Sequence, residues 1–352
     1  MINVIGFALY GSLAASHRVR LAQYREGLVS EGINLEIQSL LVNEYLGSRF
    51  GHESMPLWPL LRAGAERFFL TLSKRRFDVA IVQCELFPLL PTWFEQLVFR
   101  LPYMYDFDDA WYLRYRVGRL AGLGPLLGRK CDSAIRRASS VLAGSNYLSD
   151  YARKFSENVT ILPSVVDTAR FVPRAAQCFN PVFTVGWIGS PTTAPYLQAL
   201  IEPLRIFGRE ANVRLLVIGG KAPRIEGIDV LEVPWSEEVE IELIQSFDVG
   251  VMPIPDDEWA RGKCAYKLVQ YMACGVPVVA SRVGANIDLV LDNCGFLVST
   301  SQQWVDAFRR LYREPIMRHQ MGDSCRKRVL AGYSLEGNLP LLSKAISMAV
   351  GS

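Results

Sequence analysis

The sequence predicts an α/β protein of two Rossmann-like, doubly wound parallel-sheet domains facing a cleft, and three observations carry that prediction. Apolar, β-branched runs of strand length alternate with amphipathic helical segments through the first half. The same alternation restarts at Phe183 and closes near Val298. Between the two series, Pro163, Pro173 and Pro181 stand in a mixed polar stretch that belongs to neither core. The expected organisation is a first domain over 1–165, a linker over 166–181, a second domain over 182–334 and a closing segment over 335–352.

In chain order, Val4–Tyr10 is the first strand. The apolar start has glycines suited to strand and loop and no basic leader, so it reads as fold rather than as a signal peptide. His17–Ser30 is the first helix, and Asp78–Gln83 and Ser140–Ala143 are further strands. The second series reads as strands at Phe183–Ile188, Arg214–Ile218, Asp229–Val233, Val249–Pro253, Val276–Ala280 and Phe296–Val298. Within the run KLVQYMACGVPVVAS, from Lys267 to Ser281, Leu268, Met272 and Ala273 recur at helical spacing. Gly275 is the natural helix stop, and the β-branched run after it has the length of a strand buried on both faces. A last helix spans Leu335–Ala349.

Composition narrows the function classes. A chain of 352 residues, 50% hydrophobic and 21% charged, can bury full cores, and a net charge of +3 gives no nucleic-acid binder. Seven cysteines without a CxxC pair fit reduced thiols in a cytoplasmic protein better than a disulfide framework or a zinc site. No uncharged apolar stretch approaches twenty residues, so membrane contact is expected to be peripheral, at the cytoplasmic face of an anionic inner membrane.

Several residue groups carry chemistry. In open α/β sheets, ligands sit beyond the carboxyl ends of strands. There Gly189 and Ser190 form a turn that lets backbone approach a phosphate, with Thr192 and Thr193 placed to cap the next helix. A glycine turn after a strand is also ordinary structure. Arg261, Lys263 and Lys267 gather cations for a diphosphate, with Lys263 and Lys267 four apart; a solvated basic helix start is the plainer alternative. Asp106, Asp108 and Asp109 crowd three carboxylates into four positions, which suggests either a ligand-facing role or helix capping. Gly11, Ser12, Ser16 and Arg18, with His17 and Arg20, open the first helix, where an arginine can hold an acceptor phosphate. Arg114, Arg116, Arg119, Arg129, Lys130, Arg136 and Arg137 suit an anionic lipid, or are solvated helix faces. Trp58–Arg76, apolar with a basic end, either docks on a bilayer or covers the sheet.

The Lys267–Ser281 run has Cys264-Ala265-Tyr266 before it and Val283-Gly284-Ala285-Asn286 after it. Together with the 183–197 and 105–111 segments, it resembles the family-four glycosyltransferases of the GT-B fold, also called group 1. The resemblance implies retaining, metal-independent transfer from a nucleoside-diphosphate sugar, a co-substrate rather than a cofactor, to a carbohydrate or lipid-linked acceptor in bacterial surface polysaccharide or glycolipid assembly. It places Arg261, Lys263 and Lys267 on the diphosphate, the turns at Gly189 and Ser190 and at Gly284 and Asn286 around the donor, and Asp108 or Asp109 toward the acceptor. It implies domain closure that excludes water, and a last helix crossing back to the first domain. The chain departs from the family at its glutamate pair, where Gly262 and Gln270 stand; Gln270 can still bond a ribose hydroxyl. Asp256, Asp257 or Glu258 can replace the lost sugar contact, or form an acidic surface loop, and Trp235 can stack on a base or lie in the core. Two rival functions are a nucleotide-sugar-binding module without catalysis and a GT-B-like nucleotide-sugar epimerase.

Overall fold

A computed structural model describes residues 1–51, 55, 57–73, 76–174 and 182–351, so residues 175–181 of the expected linker lie outside the described residues. Two compact units result, one of Met1–Ser164, Gly262–Cys264 and Asn338–Ser352, the other of Val165–Arg261 and Ala265–Gly337.

The first unit is built on a six-stranded sheet in the order β2-β1-β3-β4-β5-β6. Its strands are β1 (Ile2–Tyr10), β2 (Ile33–Leu41), β3 (Val79–Gln83), β4 (Tyr103–Phe107), β5 (Ser140–Ala143) and β6 (Val159–Ile161), and every pairing is parallel. All five residues of β3 are buried, as expected of a strand covered by helices on both faces. Strands β2, β4 and β6 extend the sheet beyond the strands expected from apolar runs. In β2, Asn34, Glu36, Gln38 and Ser39 interrupt the apolar run, and in β4 an aspartate does.

The expected His17–Ser30 helix is broken into Ala15–Arg20, a 3-10 turn Ala22–Tyr24 and Arg25–Ser30. The chain turns at Leu21 (φ −129°, ψ −60°), and the break sends Val19, Arg20, Leu21 and Tyr24 all inward. One straight helix cannot bury three consecutive positions on a single narrow face.

The second unit holds another six-stranded parallel sheet, in the order β12-β11-β10-β7-β8-β9. It comprises β7 (Phe183–Ile188), β8 (Val213–Ile218), β9 (Asp229–Val233), β10 (Val249–Met252), β11 (Val278–Ser281) and β12 (Gly295–Val298). The helix before β11 spans Tyr266–Ala273, and Gly275 ends it at φ +70°. Strand β11 starts at Val278 rather than Val276 because Pro277 has no N–H to donate; its carbonyl instead accepts from the Gly250 N–H at 3.0 Å.

Each sheet reverses its winding once, between β1 and β3 in the first unit and between β7 and β10 in the second. The carboxyl ends of those strands are where such folds hold ligands. A helix over Leu335–Val350 ends the chain, and from Asn338 on it belongs to the first unit, with Leu342, Ala345, Ile346 and Ala349 buried. Among the described residues no helix is long and apolar enough to cross a membrane.

Candidate active site

In the first unit, the turn after β1 is locked by its neighbour after β2. The Gly11 N–H donates to the Leu41 carbonyl at 2.8 Å, the Leu13 N–H to Asn43 Oδ1 at 3.0 Å, and Asn43 Nδ2 to Ser12 Oγ at 2.9 Å. Arg18 reinforces the same turn, donating from Nη1 to the Ser12 carbonyl at 2.7 Å and the Leu13 carbonyl at 2.9 Å. The Ser16 carbonyl accepts from Gln83 Nε2 at 3.1 Å, while Gln83 Oε1, fully buried at the end of β3, has no partner among the described residues. His17 Nδ1 is likewise unpartnered and buried, and burial together with Arg18 and Arg25 lowers the imidazole pKa. Asn43 and Gln83 are absent from the sequence-level candidates because an isolated amide carries no motif.

Arg20 and Asp106 form an internal ion pair, 2% and 1% exposed, with Arg20 Nη2 at 2.5 Å from Asp106 Oδ1. Arg20 also donates from Nη1 to the Leu162 carbonyl at 2.5 Å. Burial works against the Arg20 charge, and the Asp106 carboxylate outweighs it, so the pKa rises. These contacts engage both side chains inside the protein.

Asp108 and Asp109 follow β4 and cap no helix: the 3-10 turn Trp111–Leu113 starts at Ala110 without a side-chain cap. The three-residue strip Gly262–Cys264 lies against them within the first unit. Lys263 Nζ sits 3.2 Å from Asp109 Oδ1, and the Cys264 thiol donates to the Asp108 carbonyl at 3.0 Å. A Cβ on Gly262 would stand 2.7 Å from the Ala110 Cβ, so this place has no room for a glutamate in the present arrangement. Burial, then the neighbouring Asp109, pushes the Asp108 carboxyl up to about 7. That value suits a group which exchanges a proton near neutrality.

In the second unit the Tyr266–Ala273 helix is pinned under the end of β7, where the Ile188 N–H donates to the Tyr271 hydroxyl at 2.9 Å. Lys267 lies one turn earlier, with its Nζ 5.5 Å from the centre of the Trp187 ring. A Cβ on Gly189 would meet Trp187 Cη2 at 2.4 Å and Lys267 Cε at 2.7 Å. Glycine there is what allows strand end, indole and lysine to converge. Beside it, the Ser190 N–H donates to Thr193 Oγ1 at 3.3 Å and Ser190 Oγ bonds Thr192 Oγ1 at 2.7 Å. Both threonines close the Ser190 turn, and neither side chain caps the Ala194–Leu200 3-10 helix.

Lys263 and Lys267 do not share a helix face. Ala265, in the left-handed region at φ +55°, separates them just before the helix starts. Arg261 ends the short Glu258–Arg261 helix and pairs with Asp256 at 2.6 Å, both of them well exposed, while Asp257 caps that helix by accepting from the Ala260 N–H at 2.7 Å. Gln270 is 4% exposed, with Nε2 turned 3.4 Å from Glu240 Oε2. Trp235 packs on the hydrophobic core and donates its indole N–H to the same oxygen at 2.8 Å. The buried Glu240 carboxylate was not among the sequence-level candidates, because only the fold brings it to Gln270. Asn286 is 1% exposed and donates from Nδ2 to the Ser281 carbonyl at 2.9 Å, locking the turn in which Gly284 lies at φ +54°.

Several bases of the expected lipid patch are engaged internally. Lys130 is 4% exposed and pairs with Glu95 at 3.0 Å, Arg114 pairs with Glu85 at 3.0 Å, and Arg116 with Asp132 at 2.7 Å. Arg119, Arg129, Arg136 and Arg137 remain exposed. Among the described residues no group of three or more His, Cys, Asp or Glu side chains is arranged to hold a metal ion.

Residues 182–314 match the family described as glycosyl transferases group 1. Solved structures with the same fold include sucrose-phosphate synthase from Thermosynechococcus elongatus, 14% identical with a TM-score of 0.72 over 100% of both chains. A glycosyltransferase from Rickettsia africae is 13% identical with a TM-score of 0.71, covering 99% of this chain and 98% of that one. HepE from Anabaena, solved with UDP and glucose, is 15% identical with a TM-score of 0.69, covering 99% and 100%. No match is found among the curated proteins. The two parallel sheets are those of the GT-B fold.

Proposed function

We propose that the chain, whose residues 182–314 match the family described as glycosyl transferases group 1, transfers a sugar from a nucleoside-diphosphate sugar to an acceptor hydroxyl, with retention at the anomeric carbon and without a metal ion. The observation that carries this reading is the Lys267 ammonium held against Trp187 and the Gly189–Ser190 turn, at the winding reversal of the second sheet. An ammonium beside small-residue backbone at a strand end stabilises a diphosphate, and more strongly as charge develops on the leaving group. HepE, which shares the fold, has been solved with UDP-glucose, and this supports a nucleoside-diphosphate sugar as donor.

In the proposed reaction the bond from anomeric carbon to diphosphate oxygen breaks as the acceptor oxygen bonds the same carbon from the same face. The first unit supplies the acceptor side. Asp108, poised near neutrality, accepts the hydroxyl proton, and Asp109 with Lys263 orients the hydroxyl. The acceptor is a carbohydrate or lipid-linked molecule of bacterial surface polysaccharide or glycolipid assembly, and the setting is cytoplasmic.

A thermal-shift panel of UDP-, GDP- and ADP-sugars tests the donor side, since a ligand that binds only the native state raises stability by mass action. One nucleotide class is expected to raise the Tm, and Lys267→Ala to weaken that donor by about tenfold or more. An unchanged affinity in the variant sinks the diphosphate assignment. Release of nucleoside diphosphate only when acceptor membranes are added supports transfer; release that never occurs, or donor conversion without acceptor, sinks it.

A further inference from the structure

The Leu57–Leu72 helix of the first unit is built inside out. Its buried residues are Ala63, Arg67 and Thr71, spaced four apart on one face. Arg67 is fully buried and donates to Gln38 Oε1 at 2.7 Å, to the Leu86 carbonyl at 3.0 Å and to the Gln38 carbonyl at 2.9 Å, with a further short bond to the Ala8 carbonyl. The helix is thus anchored to the sheet by a guanidinium and backbone oxygens. Its opposite face carries Trp58, Leu61, Phe69 and Leu72, which are 79%, 65%, 66% and 51% exposed. Their spacing of three, eight and three residues traces one stripe along a helix.

That stripe continues onto the next helix, Thr92–Val98, through ring contacts. Phe68 touches Phe69 and Phe94 at 5.9 and 6.5 Å, and Phe94 touches Trp93 at 6.2 Å. Trp93 and Leu97 are each 63% exposed. The loop before this helix exposes Leu89 and Leu90, and its Leu89 N–H donates to the Tyr115 hydroxyl at 3.0 Å, which ties it to the segment that exposes Val117 and Leu126. Single exposed apolar residues need no explanation, but a connected surface of this extent with two tryptophans does.

Charge selects the occupant. Over 57–73, 86–100 and 117–130 the acids are Glu66 and Glu95, and Glu95 is held by the buried Lys130. Arg62, Arg100, Arg119 and Arg129 are exposed on the same segments and form no ion pair among the described residues. A second copy of the chain, docking about a twofold axis, would set this basic surface against itself with few acids to meet it. An anionic bilayer instead takes tryptophans and leucines at the headgroup boundary and guanidiniums on its phosphates. We propose that the outer face of the Leu57–Leu72 helix, together with the start of Thr92–Val98 and the 117–129 segment, docks the first unit flat on an anionic membrane surface.

The proposal stands on the first unit's surface and is independent of the donor chemistry, so its test uses no turnover. The full-length protein is mixed with vesicles of phosphatidylcholine alone or with about one quarter phosphatidylglycerol, and partition is read by co-sedimentation. Binding to the anionic vesicles is expected to exceed that to neutral ones and to fall with salt. A Trp58→Glu, Leu61→Glu variant changes only exposed positions; it is expected to keep its Tm and its donor-induced thermal shift while losing about tenfold or more of the partition. Equal partition of parent and variant overturns the proposal. So does parent protein that ignores anionic vesicles yet sediments as a dimer dissolved by the same substitutions.

Discussion

In the proposed reaction Asp108 is the residue on which the acceptor chemistry turns, and its titration makes two testable statements. Burial and the adjacent Asp109 hold its carboxyl at about 7, whereas an unfolded aspartate titrates near ~3.9. The folded state therefore binds a proton that the unfolded chain has released, and stability falls as pH rises from about 4 through about 7. Asp108→Asn is expected to flatten that fall in urea denaturation series, leaving the variant relatively more stable toward pH 8. As the proposed proton acceptor, the same carboxyl should also produce a limb near pH 7 in the profile of kcat/KM. The asparagine variant should lose that limb along with a factor on the order of 10² in rate. A profile identical to the parent's would remove Asp108 from the chemistry and leave Asp109, beside Lys263, as the candidate.

At the scale of an element, the inside-out Leu57–Leu72 helix shows how one polar residue can replace an apolar seam. Arg67 has no carboxylate within its set of acceptors, and burial pulls its pKa down to about 9, partly offset by Glu95 and Glu66. What holds the charge is a ring of carbonyl and amide oxygens on three separate segments. Removing the guanidinium leaves those oxygens buried and unpaired, so Arg67→Leu is expected to destabilise the first unit by about 3 kcal/mol. Arg67→Lys, which keeps the charge but cannot reach every acceptor, should fall between the two in chemical denaturation. A neutral effect of Arg67→Leu would mean that the exposed leucine stripe can turn inward and take over the seam. The helix would then have an ordinary apolar inner face.

For the whole molecule, the first unit is assembled from three separate stretches of chain. Its last stretch, from Asn338 on, buries Leu342 and Ile346 completely. Leu342→Ala should therefore cost about 2–5 kcal/mol of stability although the residue lies near the C-terminus, far in sequence from the rest of that unit. Calorimetry with and without a nucleoside diphosphate would check the assignment. The donor-induced shift, which the proposed function assigns to the second unit, should survive the substitution. An unchanged melting profile would show that this stretch adds nothing to the first unit's core.

Much of the fold can be read locally. The runs of β7 and β5 coincide with their observed bounds, because a strand covered on both faces writes itself as a short continuous apolar segment; β9 also coincides, although as an edge strand it is largely exposed. The Gly275 stop and the winding into two parallel sheets follow from the same short-range grammar. Where polar residues interrupt the pattern, as in β2 and around Leu21, the local signal fails.

What the sequence by itself determined is thus the two sheets, their strand ends and the residue types gathered there. Only the tertiary structure decided which of those residues remain available. Arg20 closes on Asp106 across 86 positions, Lys263 joins Asp109 across 154, and Glu240 reaches Gln270 across 30. The physical reason is that periodicity records which face of an element is apolar, whereas the partner of a buried charge is chosen by whatever distant segment the fold brings within hydrogen-bond reach.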